Sequence, residues 1–319
     1  MTELAIYDEW VFDHARYAGA REALLEEVDL VLQGGPRMIA MLLGPSGMGK
    51  TELIVDLVAS FEDRLTETGH PLVLHVSFPA GSTADALAAC IIKKIRNIRL
   101  VKGSGAERRE SAIGLLQDSG IQVLILDETN HAAEARATRA TQTKANRLTA
   151  DWIKQIFDRA KVSVVMAGLS HSLRLLTDND QLEGRALRPI EMKPYAWHID
   201  ADRKAFRDLV AAFSGQAIEH GWTLDINEDR LSRAAYLASR GLVRPVARLF
   251  ERAVIVTGKG GTLTEKVFAR AYDKCLPERQ IGNPFELEEI TDEMLNAAHR
   301  QLLQKINEPM QDQDRGRRT

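Results

Sequence analysis

The sequence is poor in cysteine, in aromatic residues and in long apolar segments, and each shortage excludes a class of protein. Two cysteines among 319 residues, Cys90 and Cys275, cannot form a disulfide framework, so we expect a reducing cytoplasm. No apolar run reaches the ~18 residues of a membrane span, and the N-terminus lacks the pattern of a signal peptide. A net charge of −3 excludes a surface that is basic throughout, so a nucleic-acid partner requires a local basic patch.

Motifs for zinc and acyl-transfer chemistry are also missing. The eight histidines form no HExxH motif and no paired spacing with cysteine, which argues against a zinc site. Residues 168–172 (GLSHS) resemble a nucleophile elbow but end in serine where that motif has glycine. The glycine-rich residues 258–262 follow no predicted strand, so a helix end and a turn explain them better than a second phosphate loop.

Short apolar runs alternate with longer helical patterns, which predicts an α/β fold. The runs are residues 38–43, 72–77, 123–127 and 162–167, with a weaker fifth at 187–192. Near-continuous apolar runs separated by helices indicate buried parallel strands, so we expect a three-layer αβα core. The first connecting helix is predicted over residues 51–68, with Gly69 at its C-terminal cap.

The chain after about residue 194 has only helical patterns. They cover residues 202–220, 228–239 and 245–257, and the spacing of Thr262 and Glu265 matches a capping box before a fourth helix. One more helix is predicted over 292–306, followed by a polar, disordered end. We therefore expect an N-terminal helical segment (1–34), an αβα core (35–196), an all-helical lid (197–276) and a partly disordered, partner-binding tail (277–319).

The strongest chemical signal is a phosphate-binding loop between the first predicted strand and the next helix. It matches GxxxxGK[ST] at every fixed position and consists of Gly44, Pro45, Ser46, Gly47, Met48, Gly49, Lys50 and Thr51. Its glycines allow backbone N–H groups to converge on phosphates at the positive end of the helix. Lys50 reaches the β- and γ-phosphates and the Thr51 hydroxyl ligates Mg²⁺. We expect ATP and Mg²⁺ to bind here.

An acidic pair follows the third predicted strand, as in a Walker B motif. Asp127 places a carboxylate beside the Mg²⁺ shell, and Glu128 is positioned to orient and deprotonate a water molecule. The pair favours ATP hydrolysis over the two alternatives, a small-molecule P-loop kinase and a non-hydrolysing nucleotide-gated scaffold.

Several polar residues elsewhere are candidates for completing this site. Arg185 or Arg188, just before the fifth strand, could act as an arginine finger in a neighbouring subunit. Arg244, or Arg248 one turn later, could reach the nucleotide from the lid. Ser170 and His171 follow the fourth strand, where a polar group could sense the γ-phosphate.

Two basic segments are candidates for contact with DNA. Because aromatic residues are not interleaved with them, we expect contacts with the backbone and not base stacking. The first segment lies on a helix predicted over residues 84–101 and in the loop after it. Its residues are Lys93, Lys94, Arg96, Arg99 and Lys102, with Arg108 and Arg109 beyond, and those of the second segment are Arg136, Arg139, Lys144 and Arg147.

Together these motifs resemble the AAA+ ATPases, and more closely the TniB/TnsC ATPases that regulate target selection in DNA transposition. The resemblance covers residues 14–276. It is carried by GPSGMGKT at 44–51, LILDE at 124–128, VVMAGLSHS at 164–172, QLEGRALRPIEMKPY at 181–195, GLVRPVARLFERAV at 241–254 and TLTEKVFARAY at 262–272.

The resemblance implies a strand order of 5-1-4-3-2 and ATP sites completed at subunit interfaces. It further implies rings or helical filaments on double-stranded DNA in the bacterial cytoplasm, a DDE transposase and a TniQ-type target selector as partners, and no membrane. It assigns the finger to Arg185 or Arg188, the sensor-2 arginine to Arg244, and DNA contacts to the two basic segments. Alternatives are an initiator- or helicase-loader-type AAA+ remodeller and an ExeA-type ATPase.

Overall fold

The structure is a computed structural model that describes residues 6–7, 10, 12–79, 83–133, 139–177, 179–276 and 282–307. For residues 132–133, 139–145 and 307 it describes the backbone alone. Within these ranges, no helix combines the length and the apolar character that crossing a membrane requires.

A five-stranded parallel sheet forms the centre of the core. Its strands are β1 (Ile39–Leu43), β2 (Val73–Ser77), β3 (Val123–Asp127), β4 (Ser163–Gly168) and β5 (Ile190–Glu191). Their order is β2-β3-β4-β1-β5, which confirms the predicted order 5-1-4-3-2. Strands β1, β3 and β4 are buried at every position, because helices cover both faces of the sheet. The fifth strand has only two residues, so its prediction over 187–192 was too long.

Helices connect the strands of the core. They are α1 (Ala15–Leu32), α2 (Lys50–Ala59), α3 (Ala84–Arg96), α4 (Gly105–Ser119), α5 (Asn130–Ala133), α6 (Arg139–Gln155), α7 (Arg174–Thr177) and α8 (Asp180–Glu183). A π-helical turn, Ile156–Ala160, continues α6, and a 3₁₀ turn, Ser170–Leu173, follows β4. The apolar sides of α3, α4 and α6 contribute to one cluster with β1–β4, to which Leu87, Leu116 and Ile153 belong.

Two predicted helices are shorter in the structure. Helix α2 ends at Ala59, because the backbone of Thr66 bonds to His70 and that of Leu72 bonds to Arg64 in a tight return. Gly69 lies in that turn and caps no helix. Helix α3 ends at Arg96, since Asn97 adopts a left-handed conformation with φ of 51°, so Arg99 and Lys102 follow the helix and do not lie on it.

The lid is helical apart from one pair of short strands. Its helices are α9 (Asp200–Glu219), α10 (Glu228–Ser239), α11 (Val243–Thr257) and α12 (Glu265–Cys275). Strands β6 (Thr223–Asp225) and β7 (Thr262–Thr264) pair in parallel, which sequence analysis does not predict. Thr262 therefore bonds across to Thr223, and it is Thr264 whose hydroxyl caps α12.

By contacts, the chain forms two compact units. The core unit consists of Tyr17–Ser46 and Lys50–Met192. The lid unit contains Lys193–Glu308, the described residues up to Arg16, and the tip of the phosphate loop, Gly47–Gly49. One contiguous loop thus contributes to both units.

The described part of the predicted tail packs within the lid unit. Phe285 is buried and stacks on Phe268 with ring centroids 5.5 Å apart. Helix α13 (Asp292–Asn307) begins at a carboxylate that accepts a hydrogen bond from the indole of Trp197 at 3.1 Å. The same Asp292 pairs with Arg233 at 2.7 Å. These contacts make residues 282–307 an integral layer of the lid.

The close packing around Gly241 in the lid can be tested by substitution. Its φ is 85°, and a Cβ there would lie 2.1 Å from the carbonyl oxygen of Tyr195, so no side chain fits. We expect Gly241→Ala to lower the free energy of unfolding by about 2–4 kcal/mol. Urea unfolding followed by circular dichroism measures this.

The matched control is Gly215→Ala in α9, where an added Cβ meets no atom within 4 Å. Because alanine favours the helical conformation more than glycine does, we expect the free energy of unfolding to rise by about 0.5–1 kcal/mol. Equal effects of the two substitutions would contradict the packing described for Gly241.

Candidate nucleotide-binding site

The phosphate loop leaves the sheet at Gly44, directly after β1. The Gly44 amide donates to the carbonyl of Gly168 at the end of β4, at 3.2 Å. A Cβ on Gly44 would lie 2.5 Å from the carbonyl oxygen of Met192, so glycine is required. The start of the loop is thereby fixed to the neighbouring strand.

Lys50 and Thr51 open helix α2 immediately after the loop. The Lys50 ammonium donates to the carbonyls of Gly44 at 2.8 Å and Pro45 at 3.0 Å, so its charge lies within the loop. The side chain of Thr51 is exposed at the same helix end. A helix N-terminus beside a lysine attracts phosphate groups.

The tip of the loop is bound by the N-terminus of helix α11. The amides of Val243 and Arg244 both donate to the carbonyl of Gly47, at 3.1 and 2.8 Å. Gly47 has φ of 90°, and a Cβ there would lie 3.1 Å from Cβ of Arg244. The backbone of Arg244 thus lies against the phosphate loop, while Arg248 is one helical turn farther along α11.

Asp127 ends β3 and is 2% exposed. Its Oδ1 accepts a hydrogen bond from the Glu128 amide at 2.7 Å, whereas its buried Oδ2 has no partner among the described residues. A buried carboxylate oxygen without a donor is costly unless a cation faces it. Hard oxygen ligands are those that Mg²⁺ prefers, so the residue type and its environment fit this ion. No group of three or more potential metal-ligating side chains was found within the described part of the chain.

Glu128 follows in a conformation unusual for a residue other than glycine, with φ of 57°. Its side chain is 53% exposed, and Oε2 lies 3.6 Å from Nε2 of His131. The next residue fixes this turn, because both the amide and the hydroxyl of Thr129 donate to the carbonyl of Ala167 at 2.9 Å. The carboxylate of Glu128 is thereby presented at the surface next to buried Asp127.

The end of β4 lies between the two loops. A Cβ on Gly168 would come within 2.5 Å of the hydroxyls of both Thr129 and Ser172, so this strand end is closely packed. Ser170, the predicted sensor, is exposed in the following 3₁₀ turn. Sequence analysis does not identify Thr129 or Ser172, whose contacts arise only from the folding of adjacent strands.

His75 is a further polar residue near Asp127. It lies on β2 two residues before Ser77, which is aligned with Asp127 in the sheet. Its Nε2 is buried without a partner in the described structure. Burial lowers the pKa of the imidazole, and the Asp127 carboxylate opposes this effect. In the sequence, the one signal for this position is that a histidine interrupts the apolar run 72–77.

His14 connects the N-terminal segment to the loop tip within the lid unit. Its Nδ1 lies 2.8 Å from the hydroxyl of Tyr195, which also accepts from the amide of Arg16 at 3.2 Å. Burial lowers the pKa of His14 from 6.5 to about 4, although a hydrogen bond with the backbone of Met48 acts in the opposite direction. No local pattern in the sequence indicates this long-range contact.

The two finger candidates differ in their surroundings. Arg185 pairs with Asp158 at 3.4 Å and donates to the carbonyl of Gln181 at 3.1 Å. Arg188 is exposed, and it has no ion pair or hydrogen bond with any residue that the structure describes. The two candidates therefore differ in that only the Arg185 guanidinium is engaged by other described residues.

The basic segments are only partly described. Lys93, Lys94 and Arg96 are exposed on the last turn of α3, and Arg99 and Lys102 are exposed in the loop after it. Arg109 pairs with Asp85, and Arg108 donates to the carbonyl of Gly103. In the second segment Arg147 is exposed, the side chains of Arg139 and Lys144 lie outside the described residues, and so does the whole of Arg136.

Comparison with known protein families identifies the chain. A family model described as Bacterial TniB protein matches residues 8–196, more than half of the sequence. The chain belongs to the TniB family. The match includes the phosphate loop, the acidic pair and both finger candidates of this TniB-family chain. A search of curated protein sequences found no match to it.

Solved structures show the same AAA+ fold as the TniB-family chain. The Aeropyrum pernix ORC1 protein in complex with DNA is 18% identical, with a TM-score of 0.57 over 94% of this chain and 69% of that one. Aeropyrum pernix ORC2 with ADPNP and ADP is 16% identical, with a TM-score of 0.58 over 86% and 72%. Drosophila ORC bound to DNA is 15% identical, with a TM-score of 0.56 over 85% and 65%.

The environment of His14 predicts an acid-sensitive stability. In the unfolded chain its pKa of 6.5 allows protonation at pH 5, whereas the folded value of about 4 does not. The free energy of unfolding should therefore fall as the pH drops from 7 to 5, with His14 contributing about 2 kcal/mol of that loss.

Urea unfolding at both pH values measures this loss. His14→Gln removes the titration but keeps a hydrogen-bonding group, so its stability should fall less between pH 7 and 5 than that of the parent chain. Equal losses in the two proteins would contradict the burial described for His14.

Proposed function

We propose that this TniB-family chain is a Mg²⁺-dependent ATPase that assembles on target DNA to regulate transposition and disassembles after hydrolysis. The observation that carries the proposal is the position of the two acidic residues. Strands β1 and β3 both flank β4, so the phosphate loop and the acidic pair leave the sheet at the same edge. One loop carries Lys50 and Thr51, and the other carries buried Asp127 and exposed Glu128. These are the side chains that ATP hydrolysis requires.

Each residue has a distinct role in this proposal. Lys50 neutralises the β- and γ-phosphates, which the loop amides bind together with it. Thr51 and Asp127 hold Mg²⁺, which supplies charge neutralisation for the transferred phosphoryl group. Glu128 orients water and accepts its proton. Arg244 and Ser170 contact the nucleotide from the lid and from the end of β4.

The arginine finger is assigned to Arg188. The ion pair of Arg185 with Asp158 holds that guanidinium within its own subunit, whereas Arg188 is exposed. In an assembly, Arg188 would enter the ATP site of the adjacent subunit and stabilise charge in the transition state. Hydrolysis then depends on contact between subunits, which links ATP turnover to assembly.

DNA is the proposed partner of the basic segments. Lys93, Lys94 and Arg96 form an exposed cationic face, and Arg147 adds a second point of positive charge. Solved structures with a similar fold include ORC proteins in complex with DNA, which supports DNA as a ligand. A DDE transposase and a TniQ-type selector are the proposed protein partners, and a bacterial cytoplasm is the proposed location.

The first experiment measures ATP turnover and particle size together, with and without duplex DNA. We expect ATP to promote rings or filaments on DNA, and DNA to raise turnover. A protein that remains monomeric and turns over ATP equally with and without DNA would overturn the proposal.

Glu128→Gln tests the hydrolytic step. Losing the general base should slow turnover by about 10²-fold or more while ATP binding is retained. An ATP-bound oligomer should therefore accumulate, as seen by size-exclusion chromatography. Lys50→Ala serves as the comparison because it should lose ATP binding and assembly together. Unchanged turnover in Glu128→Gln would show that this residue is not the base.

Arg188→Ala and Arg185→Ala distinguish the two finger candidates. Without its finger the oligomer should hydrolyse ATP about 10³-fold more slowly, whereas Arg185→Ala should lose much less. The measurement that decides is a mixture of Arg188→Ala with Glu128→Gln. Each variant supplies what the other lacks, so turnover should recover in the mixture. Recovery with Arg185→Ala in place of Arg188→Ala would assign the finger to Arg185.

An initiator- or helicase-loader-type remodeller is the alternative. It would share the nucleotide site and the DNA face, but it would co-purify with a helicase and not with a transposase. The TniB family assignment favours the transposition role.

A further inference from the structure

We propose that helix α6 positions the finger segment and connects it to DNA. The finger segment is residues 179–188, and three polar side chains contact its first part: Asp151 and Lys154 of α6, and Asp158 of the π-helical turn that continues α6. A DNA phosphate bound at Arg147 on the same helix would then steady the arginine that completes the neighbouring ATP site. This inference rests on the proposed function and specifies how DNA would regulate it.

Three contacts join the helix to the segment. Asp151 Oδ1 accepts a hydrogen bond from Nδ2 of Asn179 at 2.9 Å. The Lys154 ammonium donates to Oε1 of Gln181. Asp158, in the π-helical turn that continues α6, pairs with Arg185 at 3.4 Å.

The contacting side chains form one stripe along the helix. Residues 151, 154 and 158 are separated by three and four positions, so they share a face. Arg147 lies four positions before Asp151 and is exposed on the same face, one helical turn from the contact with Asn179. The other side of the helix is buried through Trp152, Ile153 and Ile156. Arg147 and the three contacts thus lie on one continuous helical element.

Both ends of the finger segment are fixed. Asn179 caps helix α8, because its Oδ1 accepts from the amides of Gln181 and Leu182 at 3.2 and 3.3 Å. The Leu182 side chain is fully buried. At the other end the amide of Leu187 donates to the carbonyl of Ile39 in β1 at 2.8 Å. Arg188 follows at once, so its backbone position depends on the sheet and on α6.

The end of α6 has its own anchor. Arg37 donates to the carbonyl of Phe157 in the π-helical turn, and its guanidinium lies 4.6 Å from the centroid of that ring. Lys161 then ends the helix with φ of 62°. This anchor holds the C-terminal end of the helix next to the start of β1. A ligand bound at Arg147 would therefore restrain the preceding turns, which contact Asn179 and Gln181.

The consequence is a specific dependence on DNA. A finger that is already ordered stabilises the transition state without a cost of reorganisation. DNA at Arg147 would fix α6 and thereby Arg188, which raises turnover in the neighbouring site. Weakening the contacts of Asp151 or Asp158 should therefore reduce the stimulation by DNA while leaving nucleotide and DNA affinities intact.

The test compares Asp151→Ala, Asp158→Asn and Gln155→Ala in the full chain. Gln155 is exposed at the end of α6 on the same face, but it has no hydrogen bond with any described residue of the finger segment, so it is the matched control. Each protein is assayed for turnover without and with saturating duplex DNA, for KM of ATP and for Kd of DNA. We expect the first two variants to lose about 3- to 30-fold of the stimulation by DNA with both affinities unchanged. The control should match the parent chain.

A charge exchange separates positioning from loss of folding. Asp158→Arg alone should lose stimulation, and adding Arg185→Asp should restore it by re-forming the ion pair. Parent-like stimulation in Asp151→Ala and Asp158→Asn, or failure of the exchange to restore it, would overturn the inference while the proposed function stands. A parent chain whose turnover is indifferent to DNA would overturn both.

Discussion

Two carbonyl groups at the end of β4 fix the geometry of the candidate site. The carbonyl of Ala167 accepts two hydrogen bonds from Thr129, and that of Gly168 accepts one from Gly44. Strand β4 lies between β1 and β3, so these bonds set the distance between the phosphate loop and the acidic pair. A side chain at position 168 would displace the turns that follow β3 and β4, because its Cβ would lie 2.5 Å from the hydroxyls of Thr129 and Ser172. The chemistry of the site thus depends on one glycine and its neighbour.

The lid unit holds the remaining part of the loop through backbone groups. The carbonyl of Gly47 is shared by two amides at the start of α11, and Met48 bonds with buried His14. Tyr195 joins this network through His14 and Arg16, and its amide donates to the carbonyl of Gly241 at 3.0 Å. Because main-chain atoms make most of these contacts, the fold of the lid and not its side-chain chemistry determines where the loop tip lies.

The sequence predicts the parts of the structure that depend on local patterns. Four apolar runs became strands β1–β4, because continuous burial leaves a simple signature. The predicted end of α2 was wrong, because the backbone amides of Thr66 and Leu72 form hydrogen bonds that a continuing helix would not allow. No residue type in this stretch indicates those bonds. The pairing of β6 with β7 joins segments about 40 residues apart, and the contact of His14 with Met48 is also long-range. Such contacts leave no periodic trace in one sequence.

The anchoring of helix α13 sets where the chain tolerates shortening. Removing everything after residue 276 would uncover Phe268, which stacks on Phe285, and would leave the indole N–H of Trp197 without its acceptor Asp292. Arg207 and Arg233 lie 5.5 and 5.6 Å from the Trp197 ring, so two cations would then border an exposed apolar surface. Such a truncation would damage the lid as well as any partner contact. A fusion or a domain boundary belongs beyond Asn307, and substitutions on the exposed side of α13 test the proposed partner contact without damage to the lid.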